Sequence, residues 1–174
     1  MTHLDHLYRV AFYLVRNRDE AQDIVQETCV RAFDSHQQFT PGTNMKAWLT
    51  RILYNLFFDQ YQRKKRMVSI DEKDDTAGVG LDYWAKLAGE NPGPEKQLLN
   101  LELNAKIQDA LGRIPEEFRA AIILVDMGDF SYAEAAGIMS CPIGTVRSRL
   151  SRGRRLLHEF LQEYVLQESR RGKL

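Results

Sequence analysis

Apolar residues recur every three or four positions along most of this chain, the period of helices packed on one face. From Leu4, a stripe of Leu7, Ala11, Leu14 and Val15 predicts a helix ending near Asn17. A second helix, capped by Asp19, turns Ala21, Ile24, Val25, Thr28, Cys29, Ala32 and Phe33 inward. Its other face carries Glu20, Asp23, Gln26, Glu27 and Arg31, which reads equally as a solvated surface or a contact surface. A polar loop, His36 to Lys46, is punctuated by Pro41-Gly42. A long helix follows from about Met45 to Arg66, with Trp48, Leu49, Ile52, Leu53, Leu56 and Phe57 as core. Lys46, Arg51, Asn55, Asp59, Gln62, Arg63 and Arg66 recur on its polar side. Tyr54, Phe58 and Tyr61 flank that side; packing is the ordinary role for aromatics at this spacing, and stacking on unpaired bases or covering a partner is the other.

The pattern then lapses. Met67 to Pro94 is rich in acid, Gly and Pro, with one short apolar group at Leu81, Tyr83, Trp84 and Leu87. It reads as a flexible interdomain linker with a single partner-binding element. Helical spacing returns at Glu95 to Leu111, ended by Gly112. Pro115 opens the next helix, with Glu116 and Glu117 in the first turn, where the helix dipole favours acids. Gly128-Asp129 breaks it. Ser131 with Glu134 is a capping-box start for a further helix. Ser140-Cys141-Pro142 ends that one and begins the last. The last helix places Val146, Leu150 and Leu157 on one side and Arg147, Ser148, Ser151, Arg152 and Arg155 on the other. Helix, tight turn and arginine-bearing helix suit entry into a DNA major groove. The fold class is therefore all-α, two small helical domains joined by a flexible linker. Domain boundaries are expected at 1–66, 67–94 and 95–165, with a disordered tail over 166–174.

Charge changes this picture in one respect. Acids and bases balance at 24 each, which argues against simple coating of nucleic acid. They are segregated, however, into basic blocks at Gln62 to Arg66 and Arg147 to Arg155 and acidic ones at Asp71 to Asp82 and Glu90 to Glu102. That distribution implies two separate contacts with a polyanion and a spacer that avoids it. No apolar run is long enough to span a bilayer and the N-terminus lacks signal-peptide character, so a cytoplasmic protein without membrane insertion is expected. Cys29 and Cys141 are expected as free thiols. His3 and His6 share a face, read as solvated, and the four histidines form no metal constellation. No nucleophile–base pair, phosphate loop or metal motif supports an enzyme, and no cofactor is expected.

Three blocks, DEAQDIVQETCVRAF, GTNMKAWLTRILYNLFFDQYQRKKR and LGRIPEEFRAAIILVDMGDFSYAEAAGIMSCPIGTVRSRLSRGRRLL, resemble in order and spacing the extracytoplasmic-function group of bacterial sigma factors, within the sigma-70 family. The resemblance covers nearly all the chain except linker and tail. It implies a promoter-recognition subunit that binds core RNA polymerase and promoter DNA, serves a stress or envelope regulon, and is restrained by an anti-sigma factor. On this resemblance Asp23, Gln26 and Glu27 contact the polymerase. Thr43 and Asn44 form a pocket for an unstacked base of the −10 element, with Asn55, Asp59 and Arg63 beside it. Lys64, Lys65 and Arg66 hold phosphates. Arg147, Ser148, Ser151 and Arg152 face the bases of the −35 element. Arg149, Arg154, Arg155 and the Thr145 backbone meet phosphates. Acidic linker residues Asp71, Glu72, Asp74 and Asp75 are expected to mimic nucleic acid near the polymerase channel.

Departures from the family pattern are Met139-Ser140, where a leucine-glycine pair is usual, Ala135 in place of a larger aliphatic, and Gly137 inside a helix. The competing reading is a stand-alone helix-turn-helix repressor or activator. It would require dimerisation and would leave the first domain without a task.

Overall fold

The computed structural model describes residues 2–67 and 94–171; the linker expectations, including Leu81, Tyr83, Trp84 and the acids from Asp71 to Asp75, lie outside them. Helices in chain order are α1 (Thr2–Val15), α2 (Arg18–Asp34), α3 (Met45–Met67), α4 (Pro94–Arg113), α5 (Glu116–Ile122), α6 (Tyr132–Ile138) and α7 (Ile143–Arg171). A single 3₁₀ turn, His36–Gln38, follows α2, and a π-helical turn, Ile123–Met127, continues α5.

The ends of these helices follow from local chemistry. Arg16 takes φ +61°, which turns the chain sharply after α1. The cap of α2 is Asn17, not Asp19. Its extended backbone lets Oδ1 accept from the Asp19 and Glu20 amides at 2.9 and 3.1 Å, and both acids fall in the first turn. The expected capping box at α6 forms, with Ser131 and Glu134 bonding each other's backbone reciprocally. Ser140 at φ +50° makes the turn between α6 and α7. A glycine would occupy that left-handed region freely, so Ser140 carries a strain of about 1 kcal/mol that its counterpart in a leucine-glycine turn avoids. The Pro142 carbonyl then accepts from the Thr145 and Val146 amides and starts α7.

The expectation for α1 was too narrow. Leu7, Tyr8, Val10, Ala11, Phe12, Tyr13 and Leu14 are all buried, while Leu4 is exposed. A single stripe became an almost complete girdle because α2 and α3 cover one side, and α5 with its π turn covers the other. The two helical units therefore share one continuous core, running from Leu7, Ile24 and Leu53 to Ile123, Phe130 and Val146. His6, expected in solvent, is buried at the same junction. Phe130 of the second unit packs edge-on against it, with ring centroids 5.4 Å apart.

On α2, Ala21, Ile24 and Thr28 are buried as expected, whereas Cys29 and Phe33 are exposed. Val30 and Phe33 lie on the face of α2 turned away from buried Ala21, Ile24 and Thr28, and keep 56% and 78% of their surfaces. At the other end of the chain, α7 runs to Arg171, into the stretch expected as a disordered tail. No Gly or Pro separates Gly153 from Gly172, so nothing in that stretch breaks a helix.

Gly153 explains how α7 lies so close on α5. A Cβ there would sit 2.9 Å from both the Phe118 carbonyl oxygen and Ile122 Cδ1, and the glycine is buried. Gly137 differs, since a Cβ there meets nothing within 4 Å. Gly153→Ala should therefore lower stability by about 1–3 kcal/mol, and Gly137→Ala should raise it by about 0.4–1 kcal/mol. Urea denaturation of the two variants checks both signs; equal effects would contradict the packing described.

Candidate nucleic-acid interface

The second unit presents the arginine helix. Val146 and Leu150 are buried at 0% and 2% exposure and dock α7, while Arg147, Ser148, Ser151, Arg152 and Arg155 face solvent. Seating the apolar side fixes the rotation of the polar one, since neighbouring faces of a helix are rigidly related. The five arginines are not equivalent. Arg149 donates to Glu117 of α5 at 3.2 Å and is only part-exposed. Arg154 makes two bonds to Asp126 in the π turn, Nε to Oδ2 at 3.0 Å and Nη2 to Oδ1 at 2.5 Å. That bidentate contact raises the Arg154 pKa further above its usual value. Both residues, expected to meet phosphates, also tie α7 to α5 and its π turn through acids that lie far away in sequence. Arg155 approaches Glu159 only loosely, at 3.8 Å. Arg147 and Arg152 remain available to a groove, beside Ser148 and Ser151; the Ser148 hydroxyl donates to the Thr145 carbonyl at 3.0 Å.

In the first unit, Thr43 and Asn44 sit in the loop before α3, after a turn at Gly42 with φ +88°. The Thr43 hydroxyl donates to the Thr40 carbonyl at 2.7 Å. Asn44 caps α3, its Oδ1 accepting from the Ala47 amide at 3.2 Å. Its Nδ2 donates across to Glu134 Oε1 at 2.5 Å. Next to it, Lys46 donates to the Gly128 carbonyl at 2.7 Å, and its ammonium lies 4.8 Å from the Phe130 ring centroid. The loop is thus fastened to the beginning of the helix-turn-helix. Hydrogen bonds from Ser131 and then Asn44 hold the Glu134 carboxyl below its usual pKa.

Asn55, Asp59 and Arg63 are exposed along α3. Asp59 and Arg63 share a cleft with Asp23 and Glu27 of α2, so two expected contact sets adjoin each other. Glu27 is paired with Arg31 at 2.9 Å, and Gln26 is exposed. Lys64 bonds Glu20 at 2.7 Å, and Lys65 and Arg66 are exposed at the end of α3. The aromatic flank of α3 does not face outward as a platform. Tyr54 is buried, Phe58 is 40% exposed, and with Tyr61 they form one wall of a groove whose other wall is Glu116, Met139, Cys141 and Arg149. Tyr54 thus takes the ordinary packing role, within the chain's own core, and Phe58 stays partly exposed beside it.

Glu116 was legible only as a first-turn acid, yet it is 8% exposed at this seam. Burial raises its pKa from 4.5 to about 7, against the opposing pull of Tyr61, Arg119 and Lys65. Across the seam, burial and then the positive charge of Lys46, Arg9 and His3 lower the His6 pKa from 6.5 to about 4. Among the described residues no group of three His, Cys, Asp or Glu is placed to hold a metal. Nor is any helix long and apolar enough to cross a membrane.

Two family descriptions match the chain, "Sigma-70 region 2" over residues 1–67 and "Sigma-70, region 4" over residues 104–157. The chain is 38% identical to the ECF RNA polymerase sigma factor SigE of Mycolicibacterium smegmatis over 93% of its own length and 60% of that protein's. It is 39% identical to the ECF RNA polymerase sigma factor EcfG of Rhodopseudomonas palustris, over 87% of this chain and 76% of that one. Among solved structures it is similar to the sigma factor RpoE of Bartonella quintana, solved with the anti-sigma factor NepR. The TM-score is 0.69 at 30% identity, covering 92% of each chain.

The seam predicts two opposed pH slopes. Between pH 4.5 and about 7 the folded chain holds a proton on Glu116 that the unfolded chain has released, so stability falls as pH rises. Between 6.5 and about 4 the unfolded chain takes a proton that buried His6 refuses, so stability falls as pH drops. Where the windows overlap the slopes oppose. Glu116→Gln should therefore become steadily more stable from pH 4.5 to 6.5, and His6→Gln steadily less stable from pH 4.5 to 7. Thermal melts across that range read the slopes, and parallel slopes in the two variants would remove this account.

Proposed function

Because the chain belongs to the extracytoplasmic-function sigma factors of the sigma-70 family, we propose that its two helical units divide promoter recognition between them. The protein binds core RNA polymerase and promoter DNA and directs transcription initiation. It is an initiation factor and not an enzyme. The observation that carries the division of labour is the arginine face of α7, held outward by the docking of Val146 and Leu150.

Arg147, Ser148, Ser151 and Arg152 read base edges of the −35 element in the major groove, where an arginine pairs bidentately with guanine. Arg155 and the start of α7 near Thr145 supply phosphate contacts. Arg149 and Arg154 contribute less to DNA than their charge suggests. Each already has a carboxylate partner, and those pairs set the angle of α7. In the first unit, Asp23, Gln26 and Glu27 form an outward surface for the polymerase, next to the exposed Val30 and Phe33. Thr43 and Asn44 receive a base taken out of the stack, with Asn55, Asp59 and Arg63 lining its approach. Lys64, Lys65 and Arg66 hold the backbone.

This reading favours a rearrangement. The bond to Glu134 takes up one of the two N–H donors of Asn44 and holds its side chain against α6, so full engagement of a base by that amide accompanies separation of the loop from α6. A hydrogen bond of this kind contributes about 0.5–1.5 kcal/mol net, small enough for DNA contacts to displace. An anti-sigma factor, such as accompanies the Bartonella relative, would act on the same equilibrium between joined and separated units. Cytoplasmic location and service to a stress or envelope regulon complete the proposal.

Run-off transcription with core RNA polymerase and a pool of genomic promoters tests it. The full chain should bind core and select discrete start sites; failure of both would end the proposal. Arg152→Ala should change preference at particular −35 positions, by about 1–3 kcal/mol at each. Lys65→Ala should weaken all promoters alike and lessen the salt dependence by about one unit of slope. An Arg152 variant that behaved like the Lys65 variant would place that arginine on phosphate.

A further inference from the structure

Tyr132 is the first residue of α6 and is 37% exposed, so its ring has not been drawn into the core. The ring faces an arginine of α7. The Arg147 guanidinium carbon lies 5.7 Å from the centre of the Tyr132 ring.

We propose that Tyr132 is a positioning residue for sequence reading: its ring sets the direction of the Arg147 guanidinium. The proposal rests on the assignment of Arg147 to the promoter's major groove. An arginine in free solvent samples many rotamers and loses that freedom when a base captures it. A guanidinium lying along an aromatic face is restricted before DNA arrives, and its planar fork stays free for a bidentate contact. Arg147 stands near the start of α7, the part of a recognition helix that reaches base edges. One contact thus joins the start of α6 to a base-reading side chain, the Tyr132 ring against Arg147.

The test uses holoenzyme assembled from the full chain and core RNA polymerase, transcribing a promoter pool randomised across the −35 element. Arg147→Ala should flatten preference at one or two adjacent positions. Tyr132→Ala should lower preference at those same positions by about two- to fivefold, the range expected for an exposed cation–π contact. Tyr132→Phe keeps the ring and should stay close to the parent. The double variant should read no worse there than Arg147→Ala alone. Tyr132→Leu, which keeps bulk without a π face, replaces the alanine variant if a thermal melt shows the latter to be unfolded. The proposal is overturned if Tyr132→Ala leaves the Arg147-dependent positions unchanged, or lowers every promoter equally. If Arg147→Ala itself shifts no position, the groove assignment fails first and takes this inference with it.

Discussion

The burial of α1 on almost every side is the constraint from which the rest of the arrangement follows. A helix with Leu7, Tyr8, Val10, Ala11, Phe12, Tyr13 and Leu14 all out of water cannot be satisfied by one neighbouring layer. Helices α2 and α3 cover part of it, and the remainder is apolar enough to demand a second cover, which α5 and its π turn supply. The first helix is thereby the common wall of two units that are otherwise separate in sequence. Packing against a shared wall also fixes their relative orientation, and so determines which side chains of the first unit can meet the helix-turn-helix.

Around that apolar centre the seam is polar and partly titratable. Lys46 and Asn44 reach across to Gly128, Phe130 and Glu134, and buried Glu116 and His6 have their charged forms opposed by desolvation. Charge in such a place costs free energy unless paired, whereas the aliphatic interiors of the two units carry no such liability. The seam is accordingly where a change of protonation acts on the shared core.

The arginine helix shows how context divides residues of identical type. Five arginines in nine residues look alike in composition, but carboxylates from α5 and its π turn engage two of them. Those two brace α7 against its neighbours, whereas Arg147, Arg152 and Arg155 have no carboxylate partner on another helix among the described residues. The same acids would be unremarkable surface charges if α5 and α7 did not lie so close, and Gly153 permits that closeness.

Much was legible in the linear pattern because the information is local. Helix existence, the capping box at Ser131 and Glu134, the break before Pro142 and the apolar seat of Val146 and Leu150 all depend on residues within a few positions of one another. Asn17 replacing Asp19 as a cap is an error of two positions, for both residue types accept amide protons equally well and only backbone dihedrals distinguish them. Tertiary structure alone decided the complete burial of α1 and His6, the exposure of Phe33, the pairing of Arg149 and Arg154, and the fastening of Asn44 to Glu134. Each of these depends on partners tens of residues away. Helical periodicity says which face of a segment is apolar, but not how many neighbours will come to cover it.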